Sequence, residues 1–510
     1  MFIKIALVVV FFAVMLGVGV YSRKHATNVN DFVLGGRAVG PWVTAFAYGT
    51  TYFSAVVFVG FAGQFGYKYG MSATWIGIGN ALIGSLLAWL VLGRRTRSMS
   101  NKLSATTMPE FFGKRYDSKS LRVAASAIAF FFLIPYTASV YNGLSRLFGM
   151  AFNIPYLYCV IAMAALTAVY VVIGGYMATA INDFIQGIIM LGGIVAVVLA
   201  ILNGQGGFTN AVSQMAAMKS DAAATLGQQG VFTSLAGPDP INLIGVVILT
   251  SLGTWGLPQM VHKFYTIKDD RAVKTGTVIS TVFALVVSGG CYFLGGFGRL
   301  FDTAAIHKED GSVMYDAIIP QMLSTLPDIL IGIVIILVLS ASMSTLSSLV
   351  LTSSSTLTLD FVKGVIIKDM SEKKQLICMR LFLVFFIVLS VVLVINPSTF
   401  IAQLMSISWG ALAGAFLAPF IYGLYWKGVT KSAVWASFIF GVGLIVSNMI
   451  FKYIASPINA GAIAMISGLV IVPVVSLVTP KMDRAKVDAM FTCLAEDNIV
   501  EAEFKKEKVS

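Results

Sequence analysis

Apolar runs of about twenty residues recur along the whole chain, each ended by charged residues, glycine or proline. Runs such as 5–21 and 323–340 are continuous, which favours membrane-spanning helices over the alternating strands of a transmembrane barrel. The first run is interpreted as a retained helix, because Arg23 and Lys24 follow it without the small-residue cleavage site of a secretory signal. The pattern predicts thirteen spans, at approximately 3–22, 40–64, 72–93, 123–148, 152–175, 180–202, 240–262, 275–298, 323–348, 376–396, 399–425, 431–452 and 459–480.

Composition agrees with an all-α polytopic membrane protein. Of the 510 residues, 57% are hydrophobic and 11% are charged, whereas an average soluble domain has roughly 45–50% and 25%. The four cysteines lie far apart and show no metal-ligand spacing, so they indicate neither a disulfide framework nor a zinc site.

The Lys and Arg residues predict the orientation in the membrane. With the N-terminus outside and the C-terminus in the cytoplasm, 28 of the 35 lie in cytoplasmic segments, which is the asymmetry of the positive-inside rule. The net charge of +12 is therefore interpreted as a topology signal and not as a nucleic-acid footprint. The Lys and Arg residues within the drawn bounds lie near span ends and none is at middle depth, and Lys263 is assigned to the cytoplasmic segment after span seven.

Two spans are unusually polar. The second carries Gly49, Thr50 and Thr51 at its middle depth, which predicts local unwinding where the backbone lines a cavity, although close helix packing by small residues is the alternative. The ninth is dense in hydroxyls from 340 to 348, and positions 341, 344, 345 and 348 share one helical face. Because hard cations prefer oxygen ligands, the two spans together predict a sodium site.

Asp183 is the exceptional carboxylate, since it is placed at or just inside the cytoplasmic end of span six. An ionisable group at membrane depth is costly and is therefore a functional candidate. The alternative is a carboxylate near a helix N-terminus, where the helix dipole favours it.

Several short motifs, in this order, resemble the sodium/solute symporter family over essentially the whole chain. They are Asp-Phe-Val-Leu-Gly-Gly-Arg at 31–37, Ile-Gly-Gly-Tyr at 173–176, Asn-Asp-Phe-Ile-Gln at 182–186, Gly-Leu-Pro-Gln at 256–259 and Met-Ser-Thr-Leu-Ser-Ser at 343–348.

The resemblance implies the inverted-repeat, LeuT-type transporter fold with about thirteen membrane helices. The expected parts are a first helix with a cytoplasmic loop at 1–30, two five-helix repeats at 31–202 and 240–425, an extracellular loop at 203–239 between them, two further helices at 426–480 and a cytoplasmic tail at 481–510.

The same resemblance implies the ion ligands. The main sodium site would take the backbone carbonyls of Thr50, Phe53 and Ala341 and the hydroxyls of Ser344 and Thr345. Some family members have a second sodium site, which Asp183, Ser344, Ser347 and Ser348 would form in this chain, so two sodium ions per solute are an open alternative to one.

The implied function is sodium-coupled import of a small organic solute by alternating access across the plasma (inner) membrane. The solute classes left open are a monocarboxylate, an amino acid such as proline, or pantothenate, with a sugar, a sialic acid or a sensor role as alternatives. Tyr52 stands where proline permeases carry an aspartate. The expected walls of the solute pocket are Tyr52, Ser54, Tyr136, Trp255, Gln259 and Trp409.

Rival functions lack the residues that they need. His25, His262 and His307 fall in loops or at span ends, and no HExxH motif is present, so the sequence predicts no hydrolytic enzyme. A channel would require a selectivity filter or rings of charge, and the sequence shows neither. The oligomeric state is left undetermined.

Overall fold

The computed structural model describes residues 2–22, 27–395 and 401–494. Within these ranges the chain forms α-helices, short 3-10 turns and π-helical stretches. The α-helices are α1 (Phe2–Ser22), α2 (Val29–Leu34), α3 (Pro41–Tyr52), α4 (Ala62–Tyr69), α5 (Thr74–Gly79), α6 (Arg94–Lys102), α7 (Met108–Arg115), α8 (Lys119–Phe152), α9 (Tyr156–Gly204), α10 (Phe208–Ala217), α11 (Pro240–Val247), α12 (Pro258–Tyr265), α13 (Asp270–Gly295), α14 (Tyr315–Ser324), α15 (Asp328–Thr356), α16 (Glu372–Ile395), α17 (Ile401–Tyr425), α18 (Lys431–Phe451) and α19 (Pro457–Val478).

The described residues contain ten helices that are long and apolar enough to cross a membrane, or eleven if the bent pair 240–256 and 258–265 is one span. The sequence predicted thirteen. One difference is Tyr156–Val169, which is apolar but shorter than a full span. The other is Val56–Lys102, a single helical stretch by length and composition that contains parts of predicted spans two and three.

Gly70 interrupts that stretch. Its φ of 62° lies in the left-handed region, which glycine adopts without a Cβ clash, and helix α4 ends there. Gly175, with φ 57° and ψ −155°, similarly divides α9 into two parts. Glycine thus marks the boundaries that the sequence places between spans two and three and between spans five and six.

Helices α15 and α17 form the centre of the bundle, because nearly all of their side chains are buried. Helices α1, α16, α18 and α19 instead keep an exposed apolar face, with side chains such as Leu381 and Val392 on α16. Apolar side chains on the outside of the bundle and polar side chains in its interior are the arrangement expected of a protein in lipid.

The predicted extracellular loop and the predicted cytoplasmic tail both contain helical structure. The 203–239 segment contains α10 and buries Phe232 completely. In the predicted tail, residues 484–494 form a helix whose Val487 and Phe491 are buried. Residues 495–510 of the tail, and the predicted cytoplasmic residues Arg23 and Lys24, lie outside the described residues.

Candidate functional site

Helix α3 ends at Tyr52 in the middle of the second predicted span. Phe53 is extended, with φ −102° and ψ 116°, and helical geometry resumes after Ser54, whose hydroxyl accepts a hydrogen bond from the Val56 amide. The predicted broken helix is therefore present, but the break lies at 53–54 and not at Gly49–Thr51.

The two threonines stay helical because each hydroxyl bonds back to its own helix. Thr50 Oγ1 donates to the Phe46 carbonyl at 2.8 Å, and Thr51 Oγ1 donates to the Ala47 carbonyl at 2.5 Å. Such bonds to the carbonyl four residues earlier satisfy the side chain without unwinding the backbone. The prediction of unwinding at these threonines was wrong by about one turn.

Five oxygens converge where the break in α3 meets α15. The hydroxyl of Thr345 lies 2.8 Å from the carbonyl oxygen of Thr51, 3.2 Å from that of Ala341, 3.3 Å from that of Phe53 and 3.5 Å from that of Thr50. A threonine hydroxyl carries one proton, so it donates to one of these carbonyls at a time. The cluster is richer in acceptors than in donors.

Ser344 extends this oxygen cluster, since its hydroxyl donates to Thr50 Oγ1 at 2.8 Å. The structure thus brings together all five residues predicted for the main sodium site, and it adds the Thr51 carbonyl. The carbonyls of Thr50, Thr51 and Phe53 lie at the C-terminal end of α3, where the helix dipole is negative and favours a cation.

The predicted second site contains an unforeseen cation. Asp183 is fully buried in α9, and its Oδ2 lies 3.3 Å from Nζ of Lys263, which is 1% exposed. Lys263 belongs to α12 and is not in a solvated cytoplasmic segment, so that assignment was wrong. The apolar run before it ends at position 262, which made the lysine resemble an interfacial anchor.

The serines of this second set have local partners. Ser347 Oγ donates to the Ser344 carbonyl at 2.8 Å, and Ser348 Oγ lies 3.0 Å from Thr51 Oγ1. Ser344 lies beside the Asp183 carboxylate, which connects the two predicted ion sites. Asp183 is well past the start of the second part of α9, so a role as a helix N-terminal carboxylate does not describe it.

Four of the predicted pocket residues lie together. The ring of Trp409 is 6.3 Å from that of Tyr52 and 5.7 Å from that of Tyr136, and Ser54 lies beside Tyr136. Among the described residues, the Tyr52 hydroxyl, the Tyr136 hydroxyl and Trp409 Nε1 are buried without a hydrogen-bond partner. Buried polar atoms normally have partners, so these three mark a place for a ligand or water.

The other two predicted residues are placed differently. Trp255 donates from Nε1 to the Ile83 carbonyl at 2.9 Å, so its polar atom is already bonded. Gln259 lines a narrow cavity on the Asp183 side together with His262 and Lys263. Gly253, two residues before Trp255, lies close to the Trp409 ring, since a Cβ added there would be 3.3 Å from it.

Sequence reasoning missed a polar cluster beside Tyr52. Asn80 donates to Ser288 Oγ at 3.0 Å and accepts from Ser251 Oγ at 3.0 Å, and the unpartnered Tyr292 hydroxyl is next to Asn80. The available signal was an amide in the middle of predicted span three, where an apolar side chain is expected.

Comparison with known proteins identifies the type of transporter. A sequence profile of the sodium:solute symporter family matches residues 32–441, most of the chain. The chain belongs to this family. A sodium/proline symporter of Staphylococcus aureus (strain JH9) is 29% identical over 493 residues, which cover 94% of this chain and 92% of that protein.

Two solved structures share the fold. One is a substrate-bound, outward-open Na+-coupled sialic acid symporter, with a TM-score of 0.75, 17% identity and coverage of 95% of this chain and 99% of that one. The other is a nucleobase-cation-symport-1 family transporter in a closed conformation, with a TM-score of 0.52, 13% identity and coverage of 90% and 97%. They confirm the predicted all-α, LeuT-type symporter fold.

Membership in the sodium:solute symporter family confirms several predictions at once. The protein is a multi-pass membrane transporter and not an enzyme, and it couples sodium to the movement of a small solute. The site residues, the orientation and the identity of the solute stay predictions.

Proposed function

We propose that this symporter imports a small organic solute that has a carboxylate and an apolar body. The candidates are a monocarboxylate, an amino acid such as proline, or pantothenate. One observation carries the proposal: the buried, unpartnered atoms of Tyr52, Tyr136 and Trp409 are a set of hydrogen-bond donors against aromatic faces, which suits an anionic oxygen beside an apolar group.

The proposed sodium site lies beside this pocket. Its ligands are the carbonyls of Thr50, Phe53 and Ala341 and the hydroxyls of Ser344 and Thr345. The supporting geometry is the convergence of these oxygens at the negative end of α3. Since Tyr52 lies between Thr51 and Phe53 in sequence, a bound sodium ion would fix the backbone that positions the Tyr52 ring, which supplies a physical link between ion and solute.

The proposed orientation is that of the positive-inside count, with the N-terminus outside, the C-terminus in the cytoplasm and the protein in the plasma (inner) membrane. The supporting observation is that 27 of the 35 basic residues lie in one set of segments even when the buried Lys263 is left out of the count. Import then follows the inward sodium gradient.

The experiment is uptake into proteoliposomes that contain the purified protein. Radiolabelled proline, other amino acids, monocarboxylates, pantothenate, a sugar and a sialic acid are each offered with an inward sodium gradient, with choline replacing sodium in the control. We expect sodium-dependent accumulation of one carboxylate-bearing class. Accumulation of only the neutral sugar would contradict the proposed solute class, and sodium-dependent binding without accumulation of any solute would indicate a sensor.

A further inference from the structure

The Asp183–Lys263 ion pair is an unusual feature of the buried interior of the helix bundle. The two charged atoms are 3.3 Å apart, their side chains are 1% and 2% exposed, and 80 residues separate them along the chain. Burial removes the hydration of both ions at a cost of several kcal/mol each, and a buried pair is often less stable than an apolar replacement. A pair retained at this depth therefore points to a function beyond stability.

The surroundings of the pair favour a cation at this position. The Lys263 ammonium lies 5.1 Å from the centre of the Tyr176 ring, close enough for a cation–π interaction. Asp183 Oδ1 has no hydrogen-bond partner among the described residues. The carboxylate thus keeps one oxygen free beside Ser344, while its other oxygen faces the ammonium.

Charge balance decides how many sodium ions this region can hold. The carboxylate and the ammonium together are neutral. A sodium ion added at Asp183 would leave a net positive charge in a desolvated setting, and it would lie near a second cation in a medium that screens charge weakly. An ion pair formed within the chain therefore competes directly with a sodium ion for the same carboxylate.

We propose that the Lys263 ammonium takes the place of a second sodium ion at Asp183, so that the protein binds one sodium ion. The inference rests on the proposed main sodium site, which supplies that single ion. It also predicts that the carboxylate becomes a sodium ligand once the ammonium is removed, because Asp183 would otherwise be an uncompensated buried charge.

The test is equilibrium binding of ²²Na+ to the purified full-length protein, measured by scintillation proximity with displacement by unlabelled NaCl and with choline chloride holding the ionic strength constant. It requires no knowledge of the solute. The variants are Lys263→Met, which keeps the length of the side chain without its charge, and the double variant Lys263→Met with Asp183→Asn. Lys4→Met is the matched control, because Lys4 pairs with the mostly exposed Asp328.

We expect one sodium ion per chain and a Hill coefficient of one in the wild type and in Lys4→Met. Lys263→Met should bind two ions, and the double variant should return to one. Two ions in the wild type would overturn the proposal, as would one ion in a folded Lys263→Met protein.

If Lys263→Met does not fold, the wild type and the charge-free double variant still decide the matter. One ion in both supports the proposal, whereas two ions falling to one overturns it. A wild type that binds no sodium would overturn both this inference and the proposed main site. A wild type that binds two ions would overturn this inference alone.

Discussion

The hydroxyl of Thr345 lies 3.3 Å from the carbonyl oxygen of Phe53, although 292 residues separate the two along the chain. One partner is on an unbroken helix and the other is at the extended end of α3. Any change in the angle between these helices alters this distance, so a cation bound among these oxygens would be sensitive to the rocking motion that alternating access requires.

The main sodium site can be tested by Ser344→Ala and Thr345→Ala. Each removes one oxygen from a small coordination shell, and the loss of an interaction with a charged group costs about 1.5–3 kcal/mol. We expect the sodium concentration for half-maximal uptake to rise roughly tenfold or more, with unchanged protein yield. Ser354→Ala is the control, because the Ser354 hydroxyl bonds only locally, to the Leu351 carbonyl. Wild-type sodium dependence in both site variants would show that the site is misplaced.

The solute pocket can be tested with three conservative changes measured on the solute found in the uptake screen. Tyr52→Phe and Trp409→Phe each remove an unpartnered donor, and a lost neutral hydrogen bond of about 0.5–1.5 kcal/mol predicts a roughly two- to tenfold rise in KM. Tyr422→Phe is the matched control on α17, because its hydroxyl already bonds to the Leu469 carbonyl. An equal KM in all three variants would contradict the pocket assignment.

Much of the architecture could be predicted because lipid imposes long apolar runs and because dense hydroxyls at membrane depth are rare. Thr345 and Ser344 are candidate ligands for that second reason. The position of the break was not predictable, since it depends on whether Thr50 and Thr51 bond to their own helix, which neither composition nor spacing reveals.

Lys263 and Asn80 show the complementary failure. A lysine one residue beyond an apolar run has the same pattern whether it reaches the interface or turns inward to a carboxylate on another helix. Its burial depends on Asp183, which is 80 residues away in the chain. Asn80 could have been found as an isolated amide in a span, but its partners Ser288 and Ser251 come from other helices and have no signal in the local sequence.

The contact between α4 and α13 predicts a strong glycine requirement. A Cβ at Gly66 would overlap the backbone carbonyl group of Gly295, which is not a flexible side chain and cannot move aside. Gly66→Ala should therefore cost about 1–3 kcal/mol or more through overpacking, seen as a lower melting temperature in detergent. Gly192→Ala on α9 is the control, because a Cβ there meets nothing within 4 Å. Equal melting temperatures in the two variants would contradict the close approach.

A pH-dependent ion pair lies in the loop between α13 and α14. His307 Nε2 is 2.6 Å from Asp302 Oδ1, and the Tyr67 hydroxyl donates to Asp302 Oδ2 at 2.6 Å. The bond to Asp302 raises the pKa of His307. Burial opposes ionisation of Asp302, but the hydrogen bonds from Tyr67 and His307 outweigh it and lower the pKa of that carboxyl.

The sign of the pH effect follows from these directions. A histidine whose pKa is raised by folding contributes stability that is complete below its unfolded pKa of about 6.5 and is lost as pH rises through the folded value. The difference in melting temperature between wild type and His307→Gln should therefore be larger at pH 6 than at pH 9. In an Asp302→Asn background this pH dependence should disappear. A constant difference across that range would contradict the ion pair.

The orientation can be tested by cysteine labelling in intact cells. Ser213 lies exposed on α10, and Ser371 lies exposed just before α16. Of the native cysteines, Cys378 is partly exposed and the other three are buried, so a Cys378→Ser background suppresses unwanted labelling.

In the proposed topology, a membrane-impermeant maleimide reaches Ser213→Cys from outside and reaches Ser371→Cys only after permeabilisation. The reason is that an odd number of spans separates the two positions, with the basic segment around Lys373 and Lys374 retained in the cytoplasm by the positive-inside rule. Labelling of Ser371→Cys but not Ser213→Cys in intact cells would invert the orientation, and labelling of both would contradict the number of spans between them.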